Sequence, residues 1–209
     1  MDWFSALPRN VDSELRWVAW DRIVLYEWRL QRLVETLGSF GPAALEICYV
    51  LVYAIAAFLV AVLYFRQRRE RVNGAVFLYL LGTLLSYALF PYFPSDPPWA
   101  AFSGSDLPNI STPLREINLW LVGHFGIHSS VFPSAHVSSA FSAAWALFAF
   151  LPEAKRYGWG VLAYAVAVSV ATVYGRYHYV ADVIAGFAVS LIPGVMILLA
   201  RPRGLLGLP

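Results

Sequence analysis

Long apolar stretches alternate with short polar breaks along the chain, and their lengths predict helices that cross a bilayer. Ala43 to Phe65 is apolar apart from Glu46 near its start, and Gly74 to about Phe93 and Val180 to Ala200 follow the same pattern. Between them lie two more apolar arms, Pro133 to Leu151 and Trp159 to Tyr177, separated by the polar break Pro152-Glu153-Ala154-Lys155-Arg156-Tyr157-Gly158. At about 1.5 Å per helical residue, each arm covers roughly 25 to 30 Å, close to a hydrocarbon core. A hairpin returns the chain to the side it left, so His136 and His178, at its two ends, are expected at similar depth near one membrane surface. Pro193-Gly194 predicts a kink in the last crossing.

Residues 1–41 read differently. Trp17, Trp20, Trp28 and Leu33 are interleaved with Arg16, Asp21, Arg22, Glu27, Arg29, Arg32 and Glu35, which suits a helix from about Asp12 to Leu37 at the membrane interface or packed on the bundle. The expected fold is all-α: a polytopic transmembrane bundle of about five spanning helices, preceded by that N-terminal amphipathic, interfacial helix. The segment 1–41 and a membrane-embedded helical domain over 42–203 are the expected divisions. The long connection 94–132 roofs or lines the site, and Thr112-Pro113 predicts an N-cap and a first helical proline for a short helix to about Phe125.

Composition agrees with a membrane protein. The 209 residues are 59% hydrophobic and only 13% charged, with mean hydropathy +0.60, far from the soluble average. A net charge of +2 with no continuous basic face gives no reason to expect nucleic acid. The single cysteine, Cys48, rules out an intramolecular disulfide. No cleavable signal peptide is expected, because charges run through the first forty residues. The cluster Arg66-Gln67-Arg68-Arg69-Glu70-Arg71 is the strongest positive-inside signal, and Lys155-Arg156 and Arg201-Pro202-Arg203 fall on the same side when spans are counted. That side is therefore expected to be cytoplasmic, leaving His136, His178 and Asp182 extracytoplasmic. The N-terminal segment then also lies outside, where its arginines fit less easily despite their acidic neighbours. Glu46, in the first turn of its span, is expected to face the interface and complement the helix dipole.

The candidate chemistry sits at the ends of the hairpin. Pro133 at a helix start places Ser134 and His136 in a first turn whose unpaired N–H groups favour an anion. A carboxylate four residues after a histidine, as in His178 and Asp182, can hold one ring nitrogen and stabilise the cation formed when the other attacks an electrophile. Either histidine alone is more often a polar contact between helices; it is the pair on one side of the membrane that points to chemistry. His124 and His128, at i and i+4, are weaker metal-ligand candidates, since no carboxylate pair completes the set and Gly126 weakens the helix between them.

The motifs Pro133-Ser134-Ala135-His136 and His178-Tyr179-Val180-Ala181-Asp182, with the apolar hairpin joining them, resemble the type 2 phosphatidic acid phosphatase superfamily over roughly residues 75–200. The resemblance implies that His178 is a nucleophile forming a phosphohistidine, that Asp182 orients it, that His136 protonates the departing oxygen and that Ser134 helps hold phosphate, with no metal or other cofactor. The chain departs from that pattern in two places. Ala171-Thr172 stands where the family's third motif begins Ser-Arg, and the lysine-containing first motif is not visible. Arg176 and Arg115 are the expected substitutes in phosphate binding. Tyr174-Gly175-Arg176-Tyr177-His178-Tyr179-Val180-Ala181-Asp182 and the upstream Pro91-Tyr92-Phe93-Pro94-Ser95-Asp96-Pro97-Pro98-Trp99 look more like the branch containing inositol phosphorylceramide synthases.

The expected function is thus a membrane lipid phosphatase or phosphotransferase, with a lipid phosphate or phospholipid substrate and water, an alcohol or a second lipid as acceptor. A non-catalytic lipid-binding or transport protein and a metal-dependent hydrolase are the rival classes. Oligomeric state is not legible.

Overall fold

A computed structural model describes residues 6–127 and 130–200, and these contain helices and connecting turns with no strand. Four helical stretches are long and apolar enough to cross a membrane: Phe40–Phe65, Arg69–Tyr92, Pro152–Tyr174 and Val180–Leu199. They are compatible with an integral membrane protein, and the architecture is a polytopic helical bundle. The first stretch consists of α3 (Phe40–Leu51) and α4 (Ile55–Phe65), joined by a 3-10 turn over Val52–Ala54. The others contain α5 (Val72–Leu89), α9 (Lys155–Tyr174) and α10 (Val180–Ala200), the last running through Pro193.

The centre of the bundle is α8 (Ala135–Phe150), a shorter apolar helix of 16 residues. Nearly all of it is buried, and α5, α9 and α10 surround it. Small side chains make this possible, because lipid gives apolar helices little reason to associate and close backbone approach supplies the packing instead. Gly82 of α5 lies so close to α8 that a Cβ there would overlap Ser142, while Ser138 Oγ donates to the Gly82 carbonyl at 3.1 Å and meets Ser86 Oγ at 2.8 Å. A helix buried on all sides need not match the bilayer's thickness.

At one end of the bundle the arginine cluster joins the hairpin turn. Arg68 Nε reaches Glu153 at 2.5 Å, and Arg71 Nη1 contacts Glu153 and donates to the Phe150 carbonyl at 2.9 Å. The third basic group, Arg201 and Arg203, lies outside the described residues. The opposite end holds the start of α8 and the end of α9, with His136 and His178. There α6 (Pro98–Ala101) and α7 (Pro113–Phe125) cover the site. As the sequence predicts, Thr112 caps α7 by accepting from the Arg115 N–H, and Pro113 is its first residue.

The N-terminal segment is not the continuous helix expected over Asp12 to Leu37. It forms α1 (Val11–Arg22), a π-helical turn over Ile23–Glu27, a left-handed residue at Arg29 (φ 58°) and the short α2 (Leu30–Glu35). Glu14, Val18, Asp21 and Leu25 share one buried face. At about 100° per residue, Gln31 and Val34 would fall outside that face on a straight helix. The wide turn and the reversal at Arg29 bring both back into the interior.

Candidate active site

His178 follows a helix C-terminus whose hydrogen bonding fixes the direction of the chain. The last turn of α9 closes with Tyr177 N–H to the Thr172 carbonyl at 2.9 Å and Arg176 N–H to the Val173 carbonyl at 3.1 Å, the double bond of a Schellman motif. Its left-handed position, usually glycine, is Arg176 with φ 63°. The Arg176 guanidinium is fully buried and pairs through Nη1 with Asp21 Oδ2 at 2.5 Å, while Nε and Nη2 have no hydrogen-bond partner among the described residues. Asp21 Oδ1 also accepts from the Val180 N–H at 2.8 Å, in the first turn of α10, where the helix dipole favours an anion. Burial pushes the Asp21 carboxyl up to about 6, against the opposing pull of Arg176. Trp17 of α1 stacks on Phe132 and tilts against Tyr179, touching both motif loops.

The two motifs are bonded directly to each other. The Ser134 N–H donates to the Asp182 carbonyl at 3.0 Å, and the α8–α10 approach there is so close that a Cβ on Gly186 would meet the Ser134 carbonyl oxygen at 2.5 Å. Asp182 Oδ2 reaches back to the Tyr179 N–H at 2.9 Å, capping α10, and also meets His178 Nδ1 at 3.2 Å. His178 Nε2 faces His136 Nδ1 at 3.4 Å, and His136 Nε2 lies 3.3 Å from the Tyr53 hydroxyl. His136, His178 and Asp182 are therefore brought together.

Ser134, Arg176 and Arg115 are placed otherwise. Ser134 is the N-cap of α8, which starts at Ala135, two residues later than expected, and its buried Oγ accepts from the Val137 N–H. Arg115 donates through Nη1 to the Gly175 carbonyl at 2.9 Å and pairs with Glu46 at 3.3 Å. Glu46 does not face the interface. It is buried, and it also accepts from Asn118 Nδ2 and the Tyr177 hydroxyl, each at 2.7 Å, because Arg115 and Asn118 project from α7 onto α3. Tyr177 in turn stacks on Tyr49, and Tyr49 on His136.

A cavity of about 230 Å³ opens beside the histidines. Tyr49, Tyr53, Tyr87, Trp99, Phe125 and Tyr177 line it with His136 and His178, and among the described residues no Lys, Arg, Asp or Glu lines it. Among the described residues no three His, Cys, Asp or Glu side chains are grouped to hold a metal. His124 Nδ1 contacts the Trp120 carbonyl of its own helix, and His128 lies outside the described residues. Asp21, Glu46 and Tyr53 were not singled out as site residues by sequence; each meets its partner only across long separations, where no local spacing signals it.

Burial holds the His178 imidazole well below the ordinary histidine value, at about 4. With Nδ1–H given to Asp182, its Nε2 carries a lone pair at neutral pH. NMR of protein labelled with 15N-histidine in micelles is expected to find this ring neutral from pH 8 to about pH 5; titration near pH 6.5 would mean a solvated ring. Because the folded ring takes its proton at lower pH than an unfolded histidine, its contribution to stability is complete above about pH 6.5 and is lost as pH falls toward 4. The Tm of the wild type relative to H178Q should fall across that window.

Fold and site together define a class: polytopic helical membrane proteins that hold two histidines and an aspartate at the paired ends of a helical hairpin. A family model described as the PAP2 superfamily matches residues 18–196, and the chain belongs to that superfamily. Membership supports a phosphatase- or phosphotransferase-type function. The match begins within α1, well before the stretch over which the motifs alone are legible. No curated protein and no solved structure matches the chain.

Proposed function

We propose that the protein is a membrane lipid phosphatase or phosphotransferase that passes a phosphoryl or phosphodiester-linked group from a lipid through His178. The observation that carries this reading is the setting of one ring: Asp182 holds His178 Nδ1, and His178 lines the cavity with Nε2 toward His136. His178 Nε2 attacks phosphorus, the bond to the leaving oxygen breaks with its electron pair on oxygen, and His136 supplies the proton. Asp182 offsets the charge left on the ring. Water, an alcohol or a second lipid then attacks the phosphohistidine and restores Nε2. Ala135, which lines the cavity in the first turn of α8, brings N–H groups with no helical acceptor to the position an anion takes.

Among the described residues the lining is aromatic and apolar with no ionic side chain, which favours a second reading, a phosphodiester headgroup transferase. A singly charged diester needs less compensation there than a monoester dianion. Incubation with a panel of lipid phosphates and phospholipids, with and without candidate alcohols, separates the readings by mass spectrometry. Free phosphate marks a phosphatase and a new phospholipid marks a transferase. Lipids that bind and emerge unchanged would reject both in favour of a binding or transport protein.

The active face is extracytoplasmic in this reading, on the strength of the arginine cluster and the basic hairpin turn at the other end. In a Cys48→Ala background, a membrane-impermeant maleimide should label Ser103→Cys in intact cells and should reach Glu70→Cys only after lysis. The reverse order would invert the topology.

A further inference from the structure

We propose that Tyr53 is the proton partner of His136, and that an uncharged His136 serves as acid and then as base by exchanging one tautomer for the other. The inference rests on the reading of His178 as nucleophile and adds to it how the proton is stored between the two half-reactions.

With Nδ1–H on His178, the contacts between His178, His136 and Tyr53 run as one chain, beside a contact of the His178 ring with the Val131 backbone. The Asp182 carboxylate accepts from His178 Nδ1–H, which leaves His178 Nε2 bare. That nitrogen accepts from His136 Nδ1–H, 3.4 Å away, which leaves His136 Nε2 bare in turn. The remaining donor is the Tyr53 hydroxyl, 3.3 Å from His136 Nε2.

Local structure aims Tyr53 at this place. It is the middle residue of the 3-10 turn that interrupts the α3–α4 span, four residues after Tyr49, so that both side chains leave the same helix face toward His136. Its ring meets His136 edge-on, with centroids 5.5 Å apart at 80°, while Tyr49 stacks on His136 at 4.9 Å and fixes the imidazole plane.

Among the described residues, Tyr53 is the group whose side chain meets His136 Nε2. Tyr49 faces it from α3, Tyr87 lines the same cavity from α5, and Tyr177 and His178 come from the loop after α9. The nearby carboxylates are engaged: Asp182 with His178 and Tyr179, and Glu46 with Arg115, Asn118 and Tyr177. Among the described residues no acidic side chain lines the cavity to sustain an imidazolium, and a neighbouring imidazole does not favour one. A neutral imidazole that gives up its Nδ1 proton must therefore be resupplied at Nε2.

The two steps balance without a proton from outside. In the first, the His178 Nε2–P bond forms and the P–O bond breaks. The leaving oxygen takes the His136 Nδ1 proton, and His136 Nε2 takes the proton of Tyr53, whose phenolate remains hydrogen-bonded to it. In the second, water adds to phosphorus and the P–N bond breaks, returning its electron pair to His178 Nε2. His136 Nδ1 takes the proton from water, and Nε2 returns the other to Tyr53. Tyr53 touches no reacting atom and is a positioning and relay residue.

Tyr53→Phe tests this, because it keeps the ring on the cavity wall and removes only the hydroxyl that His136 and Tyr49 meet, with an unchanged Tm as the control for the fold. The pre-steady-state burst is compared for hexyl phosphate, whose leaving alkoxide needs a proton, and p-nitrophenyl phosphate, whose leaving phenolate does not. The variant should lose about 10²-fold on hexyl phosphate and change little on p-nitrophenyl phosphate. Its hexyl phosphate burst should also slow as pH rises from 6 to 8, a range over which the wild type stays level. Equal losses on both substrates, or identical pH profiles, would overturn the relay. His178→Ala separates the two levels: a burst surviving in that variant rejects the nucleophile and not Tyr53 alone. Labelling with 15N-histidine gives a readout independent of turnover. His136 is expected as the Nδ1–H tautomer at pH 7, and an Nε2–H tautomer or an imidazolium there would overturn the inference whether or not either phosphate is a substrate.

Discussion

His178→Ala is expected to lower turnover of the lipid substrate by about 10⁴-fold or more while leaving a monodisperse protein in detergent. The size of the loss follows from the division of labour in the site. Removing an acid that protonates a leaving group slows the reaction by about 10² to 10⁴-fold, because other proton sources take over. Removing the atom that bonds to phosphorus leaves no path through a covalent intermediate. The His178 ring is also not a keystone of packing. It sits at a cavity wall, and its backbone N–H, bonded to the Thr172 carbonyl at 3.1 Å, survives the substitution. Full activity in the variant, with unchanged products, would remove His178 from the chemistry.

The second large effect concerns stability. Asp21→Ala or Arg176→Ala should each destabilise the protein by about 3 to 5 kcal/mol, since each strands a charge in a fully buried pair. Asp21 carries a further burden, because its other oxygen caps the first turn of α10 that presents Asp182 to His178. Asp21→Leu with Arg176→Met should recover much of the Tm lost in either single variant, since apolar side chains remove the desolvation penalty along with the attraction. Additive losses in the double variant would contradict a simple pair. They would point instead to a separate role for Arg176, such as the phosphate contact that its position two residues before His178 suggests.

The spans, the cap at Thr112 and the meeting of the two histidines were legible in the sequence for the same reason: each follows from local spacing. Apolar run lengths set the crossings, Thr-Pro sets a helix start, and arms of similar length bring His136 and His178 to one level. Pro133 as a helix start predicts Ser134 within the first turn of α8; the preference of serine for the N-cap is the better signal.

What was not legible lies in pairing between distant segments. Asp21 and Arg176 are separated by 155 positions, and Glu46 and Arg115 by 69. No periodicity records that a carboxylate on an apparently interfacial helix neutralises an arginine in a left-handed turn. The same contacts explain why the basic residues closest in sequence to the histidines do not line the cavity. They are turned toward Asp21 and Glu46 and hold the loops that carry the site.

The most direct measurement is to quench the enzyme within milliseconds of mixing with substrate labelled at phosphorus, then to locate the label by mass spectrometry under alkaline conditions, where phosphohistidine survives. Label on the peptide containing His178, lost on acid treatment and absent from His178→Ala, is the expected result. Label on another residue, or turnover with none bound at any time point, would contradict a phosphoryl group carried by His178.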